Sequence, residues 1–432
     1  MRRALSFLTL ALCAVPVAPA AAPEHWVATW GTSQQLYRQA PASRGVQTQA
    51  APAAPRPAAA PPSGPARRFP VPPALAGLHD QTIRMVVRTS IGGRTLRIRL
   101  TGALGAPTVA IGAARIALSR TESRIDPATD HLLTFSGQAS ATLYAGATLV
   151  SDPVAFDLKP LADIAVSLYL PGDTGVPTSH LFGLHTTYIS KQGDFSARSE
   201  IPEPETRESY YWLAGIDVAA PASAGTLVTF GDSITDGDQS THGTNGSWPS
   251  LLAARLQAGK ATSGIAVVNA GISGNRVLGD NGSALARLEH DVLSQPGIRW
   301  ITLLEGINDI TGGSRNGART ITAEALIAAY RQIIETAHLH GIQVIGCTLT
   351  PYGGSNVYND FGESVRTAVN AWIRKPGSFD GVIDFDAATR DPKNPARFRP
   401  EADSPDLLHP ANPGYKLMAD AIDLKLFTRT KR

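Results

Sequence analysis

Cysteine is nearly absent from this chain of 432 residues, which contains only Cys13 and Cys347. Cys13 lies in an N-terminal segment that we expect to be removed, so a disulfide within the mature chain is excluded. Cys347 ends the apolar run 342–347. That position favours a buried structural thiol over a nucleophile.

The chain also lacks an excess of charge of either sign. Its net charge is +3, and only 17% of its residues are charged. No long run of Lys or Arg is present to follow a phosphate backbone. We therefore expect no nucleic-acid partner.

Long apolar runs are missing except at the N-terminus. The stretch from Leu5 to Val17 is too short to span a bilayer comfortably, and Arg2 and Arg3 precede it. Residues 18–20 (Ala-Pro-Ala) fit a small-x-small cleavage site, so residues 1–20 are predicted to be a signal peptide. A buried N-terminal helix is the alternative. The protein is then expected to be secreted or periplasmic, without a stable membrane anchor.

The length of the chain and its 43% hydrophobic content favour two domains. Trp26 and Trp30 mark a predicted N-terminal strand segment at 21–40. The Ala/Pro-rich tract at 41–73 predicts a disordered insertion, because it cannot bury enough apolar surface to offset chain entropy. The other predicted units are a β-domain at 74–218, a linker at 219–225 and a second domain at 226–432.

The first of these domains shows an apolar pattern of period two. Ile83, Met85 and Val87 alternate with Arg84 and Arg88, and similar patterns recur near residues 96–100 and 164–170. Such segments, separated by Gly- and Pro-containing turns, predict half-buried strands. No convincing long amphipathic helix occurs before about residue 245. The pattern therefore predicts an all-β sandwich.

The second domain alternates strands and helices. Short apolar strands are predicted at 227–230, 265–268, 300–304, 344–349 and 382–385. Ser247 and Thr322 are candidate starts of two helices, and Gly341 is a candidate end of the second. This alternation predicts a parallel sheet covered by helices on both faces.

Ser233 follows the first of these strands in the block GDSITDG, 231–237. Ligands of open α/β sheets bind beyond the carboxyl ends of the strands, where a nucleophile is useful. A serine hydroxyl is a weak nucleophile, however, and needs a positioned base. Taken singly, the Gly-Asp-Ser sequence also fits an ordinary turn.

A candidate base occurs near the other end of the chain, in the block DLLHP, 406–410. Asp406 and His409 are three residues apart, so the carboxylate can hold the tautomer of the imidazole and stabilise the imidazolium. A single histidine most often has a structural or surface role. The pairing with an aspartate distinguishes His409 from the other histidines.

Two further blocks follow strands: NAGISGN at 269–275 and LEGIND at 304–309. An acyl-transfer site needs donors for the developing oxyanion, and the loss of one typically costs about 100- to 1,000-fold in rate. A glycine N–H and an asparagine amide are suitable donors. Both blocks also fit plain turns rich in Gly and Asn.

Together the blocks GDSITDG, NAGISGN, GIND and DLLHP resemble, in order and spacing, the GDSL family of esterases and lipases, also called SGNH hydrolases. The resemblance covers about residues 225–432. It implies that Ser233 is the nucleophile, His409 the base and Asp406 its orienting partner. It implies an oxyanion hole of the Ser233 and Gly274 N–H groups and the Asn308 side chain, with no metal or organic cofactor.

The family resemblance also implies a three-layer α/β/α flavodoxin-like hydrolase domain, here preceded by the all-β sandwich-like domain. The third block resembles a bacterial branch of aryl esterases and acylhydrolases, some of them linked to breakdown of plant polysaccharides. We expect a small-molecule or polysaccharide ester as substrate. Short-chain or carbohydrate-linked acyl groups are favoured, since no apolar lid-like helix stands out.

Four other interpretations compete with this one. A lipase for longer acyl chains, and a non-catalytic carbohydrate-binding protein with a decayed hydrolase domain, remain the alternatives. An α/β-hydrolase is disfavoured because no G-x-S-x-G occurs in the chain. A calcium loop of Asp232, Asp236 and Asp238 lacks the spacing and the terminal glutamate of an EF-hand.

Overall fold

The computed structural model describes residues 25–36, 75–279, 282–316 and 321–428. The predicted signal peptide at 1–20 and the predicted insertion at 41–73 lie outside these residues. Within the described part of the chain, no helix is long and apolar enough to cross a membrane.

The N-terminal region consists of short strands that pair in antiparallel fashion. The strands are β1 Trp26–Gly31, β2 Gln35–Leu36, β3 Gln81–Arg88, β4 Gly93–Thr101, β5 Val109–Ile111, β6 Ala113–Leu118, β7 His131–Leu133, β8 Ala141–Leu143, β9 Thr148–Val150, β10 Val154–Leu158, β11 Asp163–Leu170, β12 Thr178–His180, β13 Thr187–Gln192, β14 Glu205–Arg207, β15 Tyr210–Tyr211 and β16 Leu213–Ala219. In the described stretches before residue 220 the only helix is a 3-10 turn, Pro127–Thr129.

Two antiparallel sheets dominate this region. One has the order β1-β16-β4-β10, with β9 also on β4, and the other has the order β14-β13-β3-β11-β6-β7. Apolar side chains of both sheets, such as Ile98 of β4 and Val166 of β11, belong to one hydrophobic core. Three short strands, β15-β12-β2, form a further sheet.

The prediction of half-buried strands is wrong for β3, whose six interior residues are all buried. The Arg84 side chain was expected to face solvent, but it is fully buried. Its guanidinium donates hydrogen bonds to the Ser167 hydroxyl at 2.8 Å and to the carbonyl oxygens of Ser123 at 2.6 Å and Arg198 at 2.7 Å. The second face of β3 is therefore covered by the loops that carry these carbonyls.

The C-terminal region alternates strands and helices, as predicted. Its elements are β17 Gly225–Gly231, α1 Ser233–Asp236, α2 Trp248–Ala258, β18 Ile265–Gly271, α3 Ala284–Arg287, a π-helical turn Leu288–Leu293, β19 Ile298–Leu304, α4 Ile307–Asn316, α5 Ala323–Leu339, β20 Gln343–Cys347, α6 Asp360–Arg374, β21 Gly381–Ile383, α7 Phe385–Thr389, β22 Arg390–Asp391, β23 Asn394–Phe398, α8 Asn412–Asp420 and a 3-10 turn Leu424–Phe427. The predicted linker at 219–225 lies between β16 and β17.

Five of these strands form a parallel sheet in the order β18-β17-β19-β20-β21. Along this region the order is 2-1-3-4-5, which reverses at the first strand, β17. Thr322 caps α5 through its side chain, and Ser247 precedes α2. Cys347 is buried, as predicted, and burial raises the pKa of its thiol.

Strand β1 joins the two regions. It pairs with β16, and its successive side chains point to opposite faces. Val27 packs into the core of the antiparallel sheets, and Ala28 packs into the core of the parallel sheet. Arg99 of β4 also donates a 2.7 Å hydrogen bond to the Gln295 side chain across the same boundary. The N-terminal strand is therefore shared by both regions.

Candidate active site

The central strand β17 delivers Ser233 to the carboxyl edge of the parallel sheet. Asp232 caps the short helix α1, because its side chain accepts a 3.0 Å hydrogen bond from the Ile234 N–H. A Cβ at Gly231 would lie 2.3 Å from the Leu304 carbonyl oxygen, so the turn requires glycine. Ser233 is thus fixed where the strand order reverses, the position at which ligands bind in such sheets.

The structure brings the three predicted triad residues together. Ser233 Oγ lies 2.8 Å from His409 Nε2, and His409 Nδ1 lies 2.7 Å from Asp406 Oδ2. The other Asp406 oxygen accepts hydrogen bonds from the Ser404 hydroxyl and from the N–H groups of Leu408 and His409. The carboxylate therefore holds the proton on Nδ1, which leaves Nε2 to accept the proton of the Ser233 hydroxyl.

The charges around His409 favour its imidazolium form. Burial disfavours the charged ring, but the hydrogen bond to Asp406 and the nearby carboxylates outweigh burial and raise the pKa of His409. Burial likewise opposes ionisation of Asp406, yet its bonds to His409 hold the pKa of that carboxyl below its usual range. A base of this kind is stabilised once it has taken a proton.

Asp238 is a neighbour of the base whose role the sequence analysis missed. Its Oδ2 lies 3.8 Å from His409 Nε2, on the side that faces Ser233. Burial raises the pKa of Asp238, while the charge of His409 opposes that effect. Asp238 comes directly after the block GDSITDG, and from the sequence it was considered only as a calcium ligand.

Two of the predicted oxyanion donors are linked through Asn275. The Asn308 amide donates one hydrogen bond, 2.9 Å long, to the Asn275 carbonyl oxygen, so its second hydrogen remains for a ligand. Gly274 has φ +79, a conformation that favours glycine, and a Cβ there would meet no atom within 4 Å. The Ser233 N–H is at the first position of α1, where no carbonyl oxygen of the helix itself can accept a hydrogen bond from it.

We call residues 272–275 the oxyanion loop, and two buried side chains anchor it. Asp236 Oδ2 accepts hydrogen bonds from the Ser273 N–H at 2.9 Å and from its hydroxyl at 3.0 Å. Arg287 Nε donates a 2.9 Å hydrogen bond to Asn275 Oδ1. Other guanidinium nitrogens of Arg287 bond the carbonyl oxygens of Gly231 and Ala270, at the ends of β17 and β18. The loop is therefore tied to the strand ends that carry the site.

Behind Ser233 lies a layer of buried carboxyl groups. Burial raises the pKa of Glu305 well above its usual range, that of Asp232 to about 7 and that of Asp309 to about 6. Arg287 Nη2 lies 3.5 Å from Glu305 Oε2 and supplies a partial counter-charge. Of the three carboxyl groups, Glu305 is therefore the one that holds its proton most strongly as the pH rises. Among the residues described, no group of three or more His, Cys, Asp or Glu has an arrangement that fits a metal ion.

A cleft of about 540 Å³ opens beside the oxyanion loop. Gln34, Gln35 and Leu104 of the N-terminal region line one side, and His290 and Asp291 line the other. The cleft therefore combines both regions and presents several hydrogen-bonding groups next to Gly274.

Comparison with known proteins gives one family match. The sequence model of the GDSL-like Lipase/Acylhydrolase family matches residues 229–417, a range that contains every predicted site residue. No curated protein matches the chain.

Several solved structures are similar to part of this chain. An acetylxylan esterase from Geobacillus stearothermophilus is 25% identical, with a TM-score of 0.37, over 46% of this chain and 92% of that chain. A protein named as a G-D-S-L family lipolytic protein, from Desulfitobacterium hafniense DCB-2, is 23% identical, with a TM-score of 0.36, over 45% and 96% of the two chains. A GDSL-like lipase from Bacteroides thetaiotaomicron VPI-5482 is 18% identical, with a TM-score of 0.35, over 47% and 87%.

The family match and the parallel sheet agree with the resemblance drawn from the four blocks. Residues 229–417 form a GDSL-like lipase/acylhydrolase domain, and a domain of this family identifies the protein as a carboxylic ester hydrolase.

Proposed function

We propose that the protein hydrolyses carboxylic esters through an acyl-enzyme on Ser233, with short-chain or carbohydrate-linked acyl groups as its preferred substrates. The observation that carries the proposal is the hydrogen-bonded chain from Ser233 Oγ through His409 to Asp406. A serine with a positioned base, itself oriented by a carboxylate, is the arrangement that nucleophilic acyl transfer needs.

In the first step, Ser233 Oγ attacks the ester carbonyl carbon while its proton passes to His409 Nε2. The carbonyl oxygen becomes an oxyanion, which accepts hydrogen bonds from the N–H groups of Ser233 and Gly274 and from the Asn308 amide. When the tetrahedral intermediate collapses, the bond to the alcohol oxygen breaks. The imidazolium of His409 gives its proton to the departing alcohol.

In the second step, water takes the place of the alcohol. His409 removes a proton from the water, which attacks the acyl carbon, and the same three donors hold the new oxyanion. Collapse releases the carboxylic acid and returns the proton to Ser233. The bond of His409 Nδ1 to Asp406 persists through both steps and stabilises the imidazolium each time it forms.

The cleft beside the oxyanion loop supports a polar substrate. Gln34, Gln35, His290 and Asp291 offer donors and acceptors that suit a ligand rich in hydroxyl groups. Long acyl chains would instead favour a continuous apolar lining. A lipase is therefore expected to prefer long-chain esters, whereas our proposal predicts a preference for short-chain or carbohydrate-linked esters. The assay below separates the two.

We also propose the finer architecture and the location of the protein. Helix α2 packs against α8 and β18, whereas α5 packs against α6 and β20, which supports two helical layers around the parallel sheet. The two antiparallel sheets with a common core support a β-sandwich. Export is proposed from residues 1–20 alone, and the N-terminal sequence of the mature protein from the culture medium or periplasm tests it.

The test of the function is hydrolysis of a p-nitrophenyl ester series from acetate to palmitate, together with acetylated xylan. Wild type should turn over acetate or xylan, and Ser233→Ala should abolish that turnover. Ser250→Ala serves as a matched control, because Ser250 lies on α2 and its hydroxyl contacts Ser247 and no triad residue.

Each outcome of this assay separates the alternatives. Preference for long chains would favour the lipase, and absence of any turnover would favour the carbohydrate-binding protein. A Ser233→Ala variant as active as wild type would refute the acyl-enzyme.

A further inference from the structure

We infer that the N-terminal β-region supplies two positioning residues, His180 and Ser33, which hold the oxyanion loop of the catalytic domain in its working geometry. The inference rests on the proposed function, because it takes residues 272–275 to carry an oxyanion donor. The β-region then contributes to catalysis in addition to lining one side of the substrate cleft.

His180 forms the first connection. It ends β12, and its Nε2 lies 3.0 Å from Asp236 Oδ1, while its Nδ1 lies 2.7 Å from the Ser33 carbonyl oxygen. A carbonyl oxygen only accepts, so Nδ1 carries a proton. The Asp236 carboxylate accepts two hydrogen bonds from Ser273 through its other oxygen, so it is also an acceptor toward Nε2. This geometry favours an imidazolium at His180 that donates both hydrogen bonds.

The environment of this ion pair makes the connection strong and specific. The His180 side chain is 4% exposed, as is that of Asp236, and the ring stacks on Tyr210 with the ring centres 6.1 Å apart. Burial disfavours the charged ring, but Asp236 outweighs burial and raises the pKa of His180. Removing one partner of a buried pair leaves the other charge without compensation. The carboxylate that bonds Ser273 is therefore held in place by a residue of the β-region.

Ser33 forms the second connection from the same point. Its hydroxyl accepts a 3.1 Å hydrogen bond from Arg287 Nη1, and Arg287 Nε bonds the Asn275 side chain. Ser33 is 1% exposed and lies just after β1, the strand shared by both regions. Ser33 therefore accepts hydrogen bonds from two buried side chains. Its carbonyl oxygen accepts from His180, and its hydroxyl accepts from Arg287.

The two connections reach the oxyanion loop on opposite sides of Gly274. The path through His180 and Asp236 ends on Ser273, and the path through Arg287 ends on Asn275. Gly274 lies between these residues and has a left-handed backbone conformation. As a glycine, it has no side chain whose contacts could fix that conformation. The direction of its N–H therefore depends on the two flanking anchors. An oxyanion exists only in the transition state and the intermediates, so these anchors act on kcat more than on KM.

The experiment compares His180→Gln and Asp236→Asn with a matched control, His185→Gln. His185 lies in the same segment, is 8% exposed and bonds the Asn245 side chain at 2.8 Å, without contact to Asp236. We expect kcat for p-nitrophenyl acetate to fall on the order of 10- to 100-fold in the first two variants, as for a misplaced catalytic group. KM should stay close to wild type, and His185→Gln should keep the wild-type kcat.

A second arm separates positioning from simple loss of stability. Thermal unfolding of each variant is measured at the assay pH, and kcat is compared at a temperature where all of them are folded. Asp236→Asn alters the same contact from the catalytic side, so it keeps the test decisive if His180→Gln does not fold. Ser33→Ala removes only the hydroxyl bond to Arg287 and should lower kcat less than His180→Gln.

The outcomes distinguish this inference from the proposed function. Loss of activity in Ser233→Ala with wild-type kcat in His180→Gln and Asp236→Asn would overturn the inference alone. An equal fall of kcat in His185→Gln would overturn it too, because the effect would then lack specificity. Activity that survives Ser233→Ala would overturn the proposed function and this inference with it.

Discussion

Replacing Asn308 with alanine removes one donor of the proposed oxyanion hole and leaves Ser233 and His409 in place. In the structure the Asn308 amide uses one hydrogen for the Asn275 carbonyl oxygen, at 2.9 Å. Its second hydrogen is the one assigned to the oxyanion. Asn308→Ala therefore has two consequences, one for the reaction and one for the fold, and they differ in size.

The effect on the reaction is the larger one. Loss of a single oxyanion donor lowers kcat by about 100- to 1,000-fold, or roughly 2.7–4 kcal/mol of transition-state stabilisation. Loss of the internal hydrogen bond to Asn275 lowers the free energy of unfolding by about 1 kcal/mol. We therefore expect kcat to fall by about 100- to 1,000-fold. KM should change little, and the protein should remain folded.

The assay is steady-state hydrolysis of p-nitrophenyl acetate, paired with urea unfolding of the same samples. Asn370→Ala is the matched control, because this asparagine of α6 is 1% exposed and its amide group makes two hydrogen bonds to the Leu349 backbone. The control should lose more stability than Asn308→Ala and keep its kcat. A wild-type kcat in Asn308→Ala, or a parallel fall in Asn370→Ala, would refute the reasoning.

Three further variants test the electrostatics and the backbone of the site. Asp238→Asn removes a carboxylate 3.8 Å from His409 Nε2 and so lowers the pKa of His409. The acid limb of the pH profile of kcat/KM should move to lower pH, and an unmoved limb would contradict this. Burial raises the pKa of Glu305, so the folded protein keeps a proton that the unfolded chain releases above about pH 4.3. The free energy of unfolding should therefore fall as the pH rises toward the pKa of Glu305 in the folded protein. In Glu305→Gln, the decrease of Tm between pH 5 and pH 9 should be smaller than in wild type. An equal decrease in both proteins would count against a protonated Glu305. Gly274→Ala places a side chain at φ +79, at a cost of about 1–2 kcal/mol, and should lower kcat by turning the N–H. Full kcat with normal unfolding in that variant would show that this N–H is not a donor.

The reacting groups of the site were predictable because each of them is marked by local sequence. Ser233 follows a buried strand directly, and Asp406 and His409 are three residues apart in one turn. Asn308 follows another strand of the same parallel sheet. Parallel strands end at one edge, so residues that follow them meet there. Their catalytic roles remain predictions until the variants are measured.

The residues that support the site could not be found in this way. His180 and Asp236 are 56 positions apart, and His180 and Ser33 are 147 positions apart. Their contacts depend on how the antiparallel sheets pack against the catalytic domain, which no periodicity or short motif reports. Arg84 shows the same limit, because alternation in a strand predicts one buried face and says nothing about loops that cover the other.

The most direct test of the central claim is labelling of the nucleophile with a fluorophosphonate ester, followed by mass spectrometry of the digested protein. The account predicts one equivalent of label on Ser233, with loss of esterase activity in proportion to labelling. Loss of activity with the label on another residue, or full labelling of Ser233 with activity retained, would contradict it.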